Sequence, residues 1–259
     1  MTLERAIANA LPSSKLPPLE SGDRLTRREF ERRYETMPYV KKAELIEGVV
    51  YVGSPVRHRG HGNPHGSIVV WLGTYCATTP GVDFSDNATV RLDQDNEPQP
   101  DALLRIEVGG QSTVSEDDYI EGAPELIVEI AASSASYDLH DKLRVYRRNR
   151  VQEYVVWRVY NREIDWFQLR EGEYIKLEPN ADGVICSSVF PGLWLAVSAM
   201  LEGNLAAVMA VLKQGLDTAE HQAFVASMSG EFLILRSGLT KRKRVSIKNR
   251  RFIADCDLI

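Results

Sequence analysis

The sequence predicts an α/β fold, and three stretches carry that prediction. PELIVEIA (124–131) is a near-continuous apolar run of strand length, the pattern of a strand covered on both faces. YDLHDKLRVYRRN (137–149) follows with Leu139, Leu143 and Tyr146 at helical spacing, and VQEYVVWRV (151–159) returns to strand character. HGSIVVWLGTYCAT (65–78) supplies another helix, with Ile68, Val69, Leu72, Tyr75 and Cys76 on its apolar side and TPGV (79–82) as its stop.

The other elements follow from shorter signals. RLTRREFERRYETM (24–37) reads as a helix of about three turns, with Thr26 and Glu29 at capping-box spacing. AELIEGVVYVGSP (43–55) reads as two strands about a Glu47-Gly48 turn. DNATVRLDQDNEPQPDALLRI (86–106) reads as strand, acidic turn, strand. REIDWFQLREGEYIKLEP (162–179) reads as a hairpin turning at Glu171-Gly172, and FPGLWLAV (190–197) as an edge segment closing the core. Trp157 and Trp166 fit strand packing. Residues 1–22 are rich in Pro and Ser and form an arm; 23–226 form the domain. The basic stretch 227–259, with KRKR and KNRR, is expected outside the fold.

Composition narrows the function. The chain has 259 residues and 44% hydrophobic content, enough for one substantial core. A net charge of -5 argues against nucleic-acid binding over the whole surface, although a nuclease needs only a local basic face. Cys76, Cys186 and Cys256 form no CxxC pair, so neither a zinc ribbon nor a disulfide framework is expected. That pattern, with no signal-peptide pattern and no membrane-length apolar run, predicts a cytoplasmic protein and no membrane partner. LAVSAMLEGNLAAVMAVL (195–212) is interrupted by Glu202, Gly203 and Asn204 and reads as two short helices.

Three charged residues stand out. Asp101 follows a proline at the start of an apolar strand, Glu129 sits inside the next buried strand, and Lys142 lies in the helix beyond. Two carboxylates suit a hard divalent cation such as Mg²⁺ or Mn²⁺, and a lysine beside them suits stabilisation of phosphoryl charge. Each residue also has a plainer reading. Pro-Asp is a common turn, a Glu can face solvent at a strand end, and a helix lysine is usually solvated. An ionised carboxylate is costly to bury without a cation, which favours the site, but spacing alone leaves both readings open.

PQPDALL together with GAPELIVEIAASSASYDLHDKLRVYRRNRVQEYVVW resembles the Uma2 family, also called DUF820, described as candidate restriction endonucleases of the PD-(D/E)xK nuclease superfamily. AELIEGVVY, HGNPHGSIVVWLGTY and FPGLWL resemble further segments of that family, in the same order, over about residues 24 to 226. The resemblance implies a restriction-endonuclease-like core, a central mixed sheet flanked by helices. It implies that Asp101 and Glu129 are metal carboxylates. The superfamily lysine two residues after the Glu is Ala131 here, and Lys142 stands where a helix lysine substitutes. Arg150 stands where the family usually has a helix-ending Gly; Asn149 is expected to take the left-handed conformation instead.

Secondary candidates surround this set. Glu44 is the better of two acids, Glu44 and Glu47, to complete the site, and Gln152 or Glu153 could contact Lys142. HRGHGNPH carries His58, His61 and His65; a phosphate contact or a capping role fits them better than zinc, and His65 opens a helix near the cleft. Arg57 and Arg59 add charge to that loop. Arg144, Arg147 and Arg148 could track a nucleic-acid backbone or simply be a solvated face. Asp138 is placed to cap the Lys142 helix. The reading is a Mg²⁺-dependent endonuclease acting on DNA. A catalytically silent binding module and a hydrolase of smaller phosphate esters are the alternatives. A homodimer through 190–212 is expected from the superfamily.

Overall fold

The computed structural model describes residues 16–53, 55–132 and 138–236, with side chains to residue 228. Its centre is a six-stranded mixed sheet in the order β11-β10-β9-β8-β5-β3. The members are β3 (Val82–Asp86), β5 (Ala102–Ile106), β8 (Leu126–Ala131), β9 (Glu153–Arg158), β10 (Glu163–Arg170) and β11 (Glu173–Lys176). Only β8 and β9 pair in parallel within it. They are joined through a π turn at Asp138–Lys142 and helix α3 (Leu143–Arg148). A parallel pair needs such a crossover because its strands run the same way.

Strand alternation sorts β8 between two apolar layers. Leu126, Val128 and Ile130 enter a large core with helix α2 (Asn63–Thr78) and the C-terminal helices α4 (Val197–Leu201) and α5 (Leu205–Leu216). Ile127 and Ala131 point the other way, into a smaller core with Tyr146, Val151 and Tyr154. All six β8 residues are buried, as its apolar run predicts. In the larger core the Trp71 and Trp166 rings meet edge-on at 5.8 Å, an arrangement contributing about 0.5–1.5 kcal/mol beyond area burial. Trp71 and Pro64, not Val69 and Cys76, complete the buried side of α2 with Ile68, Leu72 and Tyr75.

A separate small unit carries part of the site. Helix α1 (Arg27–Tyr34) packs on the hairpin of β1 (Ala43–Ile46) and β2 (Val49–Val52) around Phe30, Leu45 and Val50. The hairpin turns on Glu47 and Gly48 at φ 50° and 72°, the two positive angles of a type I′ turn. Leu45 and Glu97 exchange backbone hydrogen bonds of 3.1 and 2.7 Å, which dock the hairpin beside β5. Thr26 is the N-cap of α1 but makes no side-chain cap bond; Glu29 binds Arg32 and Arg33 instead of closing a capping box.

The periphery holds the ribbon of β12 (Val184–Cys186) and β13 (Trp194–Ala196), and the small sheet of β4 (Val90–Arg91), β6 (Thr113–Val114) and β7 (Ile120–Glu121). The segment 190–212 spends its apolar side chains inward: Phe190, Leu193, Leu195, Met200, Val208 and Leu212 are all buried. Helix α6 (Ala219–Arg236) runs ten residues past the expected domain end at 226, and residues 237–259 lie outside the described ones. Cys76 is free. Among the described residues no helix is long and apolar enough to cross a membrane.

Candidate active site

Alternation places Glu129 on the α3 face of the sheet, between Ile127 and Ala131. Opposite, β5 pairs antiparallel with β8 at Ala102–Val128 and Leu103–Ile127, and one further step along that register sets Asp101 against Glu129. The sequence-predicted acids therefore meet because a register brings them together. Both are 3% exposed.

Lys142, at the end of the π turn, reaches down onto the sheet. Its Nζ donates to Glu129 Oε1 at 2.8 Å and to Glu44 Oε1 at 2.9 Å. Tyr146, one helical turn later, donates its hydroxyl to the same Glu129 oxygen at 2.8 Å. Burial and then the Glu129 charge push the Tyr146 pKa far above the ordinary range, so it remains a donor. Glu44 also accepts from the Gln99 N–H at 2.8 Å. The lysine is 2% exposed and Glu44 7%.

Asp101 is held from several sides. Its Oδ2 accepts the Ile130 N–H at 2.7 Å; its Oδ1 accepts His61 Nε2 at 3.1 Å and Lys42 Nζ at 3.3 Å. Burial would raise its pKa, but the His61 hydrogen bond and the Lys42 charge outweigh that and hold it far below the usual carboxylate range. His65 Nε2 donates to the Asp101 carbonyl at 2.9 Å and lies 2.8 Å from Asp86 Oδ1. With only oxygen acceptors facing these nitrogens, both rings carry a proton on Nε2. Among the described residues no group of three or more His, Cys, Asp or Glu is placed to hold a metal ion, the HRGHGNPH histidines included.

Not all candidates converge. Glu153 does not touch Lys142; its carboxylate accepts from Ser187 and Ser188 across the β12 side. Arg144 and Arg148 lie further along α3 and pair with Glu47 at 3.3 Å each. With Arg147 and Arg150 they line a cleft of about 630 Å³ that none of the site carboxylates enters. The side chain of Asp138, expected as a cap, lies outside the described residues, as does most of the AASSAS loop. Arg150 itself, not Asn149, takes the left-handed conformation at φ 66°. Around it Val151 N–H bonds Tyr146 O and Arg150 N–H bonds Arg147 O, both at 3.0 Å, the paired bonds of a Schellman cap.

Lys42 and Tyr146 are not marked as site residues by residue type alone, and His61 is marked only for a phosphate contact or a capping role. The signal for Lys42 was strand alternation: two positions before Glu44, it shares that residue's side of the strand. Tyr146 lies four residues after Lys142, the spacing that stacks side chains on one helix face.

The fold matches the crystal structure of a protein described as a "putative nuclease belonging to DUF820" from Anabaena variabilis. That match has a TM-score of 0.51 and 12% identity, over 66% of this chain and 97% of that one. A family model described as "Putative restriction endonuclease" matches residues 28–198. The chain belongs to the Uma2 family. No curated protein matches it.

Proposed function

We propose that this protein is a Mg²⁺- or Mn²⁺-dependent endonuclease that hydrolyses phosphodiester bonds in DNA. The convergence of Glu44, Asp101 and Glu129 on Lys142 and Lys42 carries this reading. Glu44, Asp101 and Glu129 offer only hard oxygen donors, the kind that Mg²⁺ and Mn²⁺ prefer. Mg²⁺ is commonly held by one or two carboxylates with water completing its shell, so Asp101 and Glu129 suffice to hold it. Bound there, the ion would supply Lewis-acid stabilisation of phosphoryl charge and lower the pKa of a water.

The chain's own residues set the geometry. Ile130 N–H fixes one Asp101 oxygen, while Lys142 and Tyr146 fix Glu129. In the reaction a water oxygen bonds to phosphorus as the P–O bond to the leaving oxygen breaks; the attacking water loses a proton to solvent, and the leaving oxygen takes one from solvent to become an alcohol. His61 and His65 face the same acid from the α2 side. Two copies would suit the cutting of two strands, which sedimentation of the purified protein tests.

A silent fold is the second reading, favoured by the protein donors that already engage both Asp101 oxygens. Calorimetric titration of Mg²⁺ and Mn²⁺ into wild type and Glu129→Ala, with plasmid and single-stranded DNA assayed in the same buffers, separates the two. Binding and cleavage that both vanish in the variant support the nuclease. A folded wild type that binds neither ion overturns it.

A further inference from the structure

We propose that Lys42, not Lys142, is the cation that meets the substrate phosphodiester; this rests on the nuclease reading above. The two lysines differ in what they can reach. The Lys142 side chain is 3% exposed and is held at 2.8 and 2.9 Å between two acids that are themselves buried. Moving it to a substrate would leave Glu44 and Glu129 facing each other without it, the costly outcome for buried charge. The Lys42 side chain is 30% exposed while the Asp101 it touches is 4% exposed, so its ammonium forms the solvent side of the pair. Its contact to Asp101 Oδ1, at 3.3 Å, is longer than either acid contact of Lys142.

The space around Lys42 agrees with this role. Across the hairpin, Gly53 donates its N–H to the Lys42 carbonyl at 2.8 Å. A Cβ at Gly53 would stand 3.0 Å from Lys42 Cβ and 3.4 Å from its Cγ, so the missing side chain leaves the lysine stem its room. Lys42 is thus rooted on a docked hairpin with its tip at the rim of the acid cluster. A compact ammonium on a four-carbon stem suits a point contact to a phosphate oxygen. Lys142 becomes the positioning residue that fixes Glu129 and Glu44.

The test is binding of an end-labelled DNA duplex, measured by anisotropy against salt concentration, in Ca²⁺ and again in EDTA. Wild type is compared with Lys42→Met, which keeps the apolar stem, Lys42→Arg, which keeps the charge, and Lys142→Met. Lys42→Met is expected to weaken binding roughly three- to tenfold and to flatten the slope of log K against log salt by about one contact. Lys42→Arg is expected to restore that slope, and Lys142→Met to keep it while melting at lower temperature. A folded Lys42→Met with wild-type affinity and slope overturns the inference, as does a loss of slope in Lys142→Met alone. A wild type that binds no duplex in either buffer overturns the nuclease reading and this inference together.

Discussion

Two glutamates lie one strand apart in the middle of the sheet, and their surroundings differ in kind. Glu129 on β8 is 3% exposed and Glu153 on β9 is fully buried. Glu153 is met by neutral donors: the Ser187 hydroxyl at 2.7 Å, the Ser188 N–H at 2.8 Å and the Ser188 hydroxyl at 2.9 Å. Burial raises its pKa, and those hydrogen bonds only partly offset that. Glu129 is met by an ammonium and a phenol, with Asp101 placed opposite by register. Hydrogen bonds alone can make a buried carboxylate a structural pin. The ammonium and the facing acid at Glu129 are what the proposed site rests on.

The largest test of this contrast removes the cation. Lys142→Met leaves Glu44 and Glu129 buried without it, and unfolding in urea should show a loss of about 3–5 kcal/mol. Glu153→Ala should cost less, about 1–3 kcal/mol, because it strands hydroxyl and amide donors and no charge. The same variant should keep any metal binding or cleavage that the wild type has. An equal loss of activity in both variants would erase the distinction drawn here.

A third buried glutamate sharpens the comparison through pH. Burial, then the hydrogen bond and charge of Glu31, push Glu97 up to about 8 despite Arg91 and Arg27. The folded state therefore keeps a proton that the unfolded chain releases near its ordinary value of 4.5. This contribution to stability is complete below that value, shrinks as pH rises, and is lost above about 8. Melting of Glu97→Gln, whose amide keeps a donor, should change less than wild type between pH 5 and pH 9. A wild type with no decline over that interval would contradict the assignment. The smallest effect is expected at Arg150, where φ 66° strains a side-chain-bearing residue. Arg150→Gly should stabilise by about 0.5–1 kcal/mol, raising Tm by roughly 1–4 °C.

Much of this was legible in residue pattern. The apolar run of β8, the Glu47-Gly48 and Glu171-Gly172 turns and the helix carrying Lys142 follow from local rules of spacing and backbone angle. The pairing of Asp101, Glu129, Lys142 and Glu44 was legible in part, because a charge inside an apolar strand demands a partner. The capping box at Thr26 failed because Arg32 and Arg33 outcompete the backbone for Glu29. Glu153 was misplaced because the residues that satisfy it, Ser187 and Ser188, carry no periodic signal and lie more than thirty positions away.

The sequence by itself determined the elements, their turns and which face of β8 carries Glu129, since alternation and helical spacing are properties of the local chain. The tertiary structure decided which charges meet. Lys42, His61 and Asp101 are brought together by the docking of a hairpin and a helix onto the end of β5. Contacts across 59 and 40 residues depend on that packing, and no short-range rule encodes it.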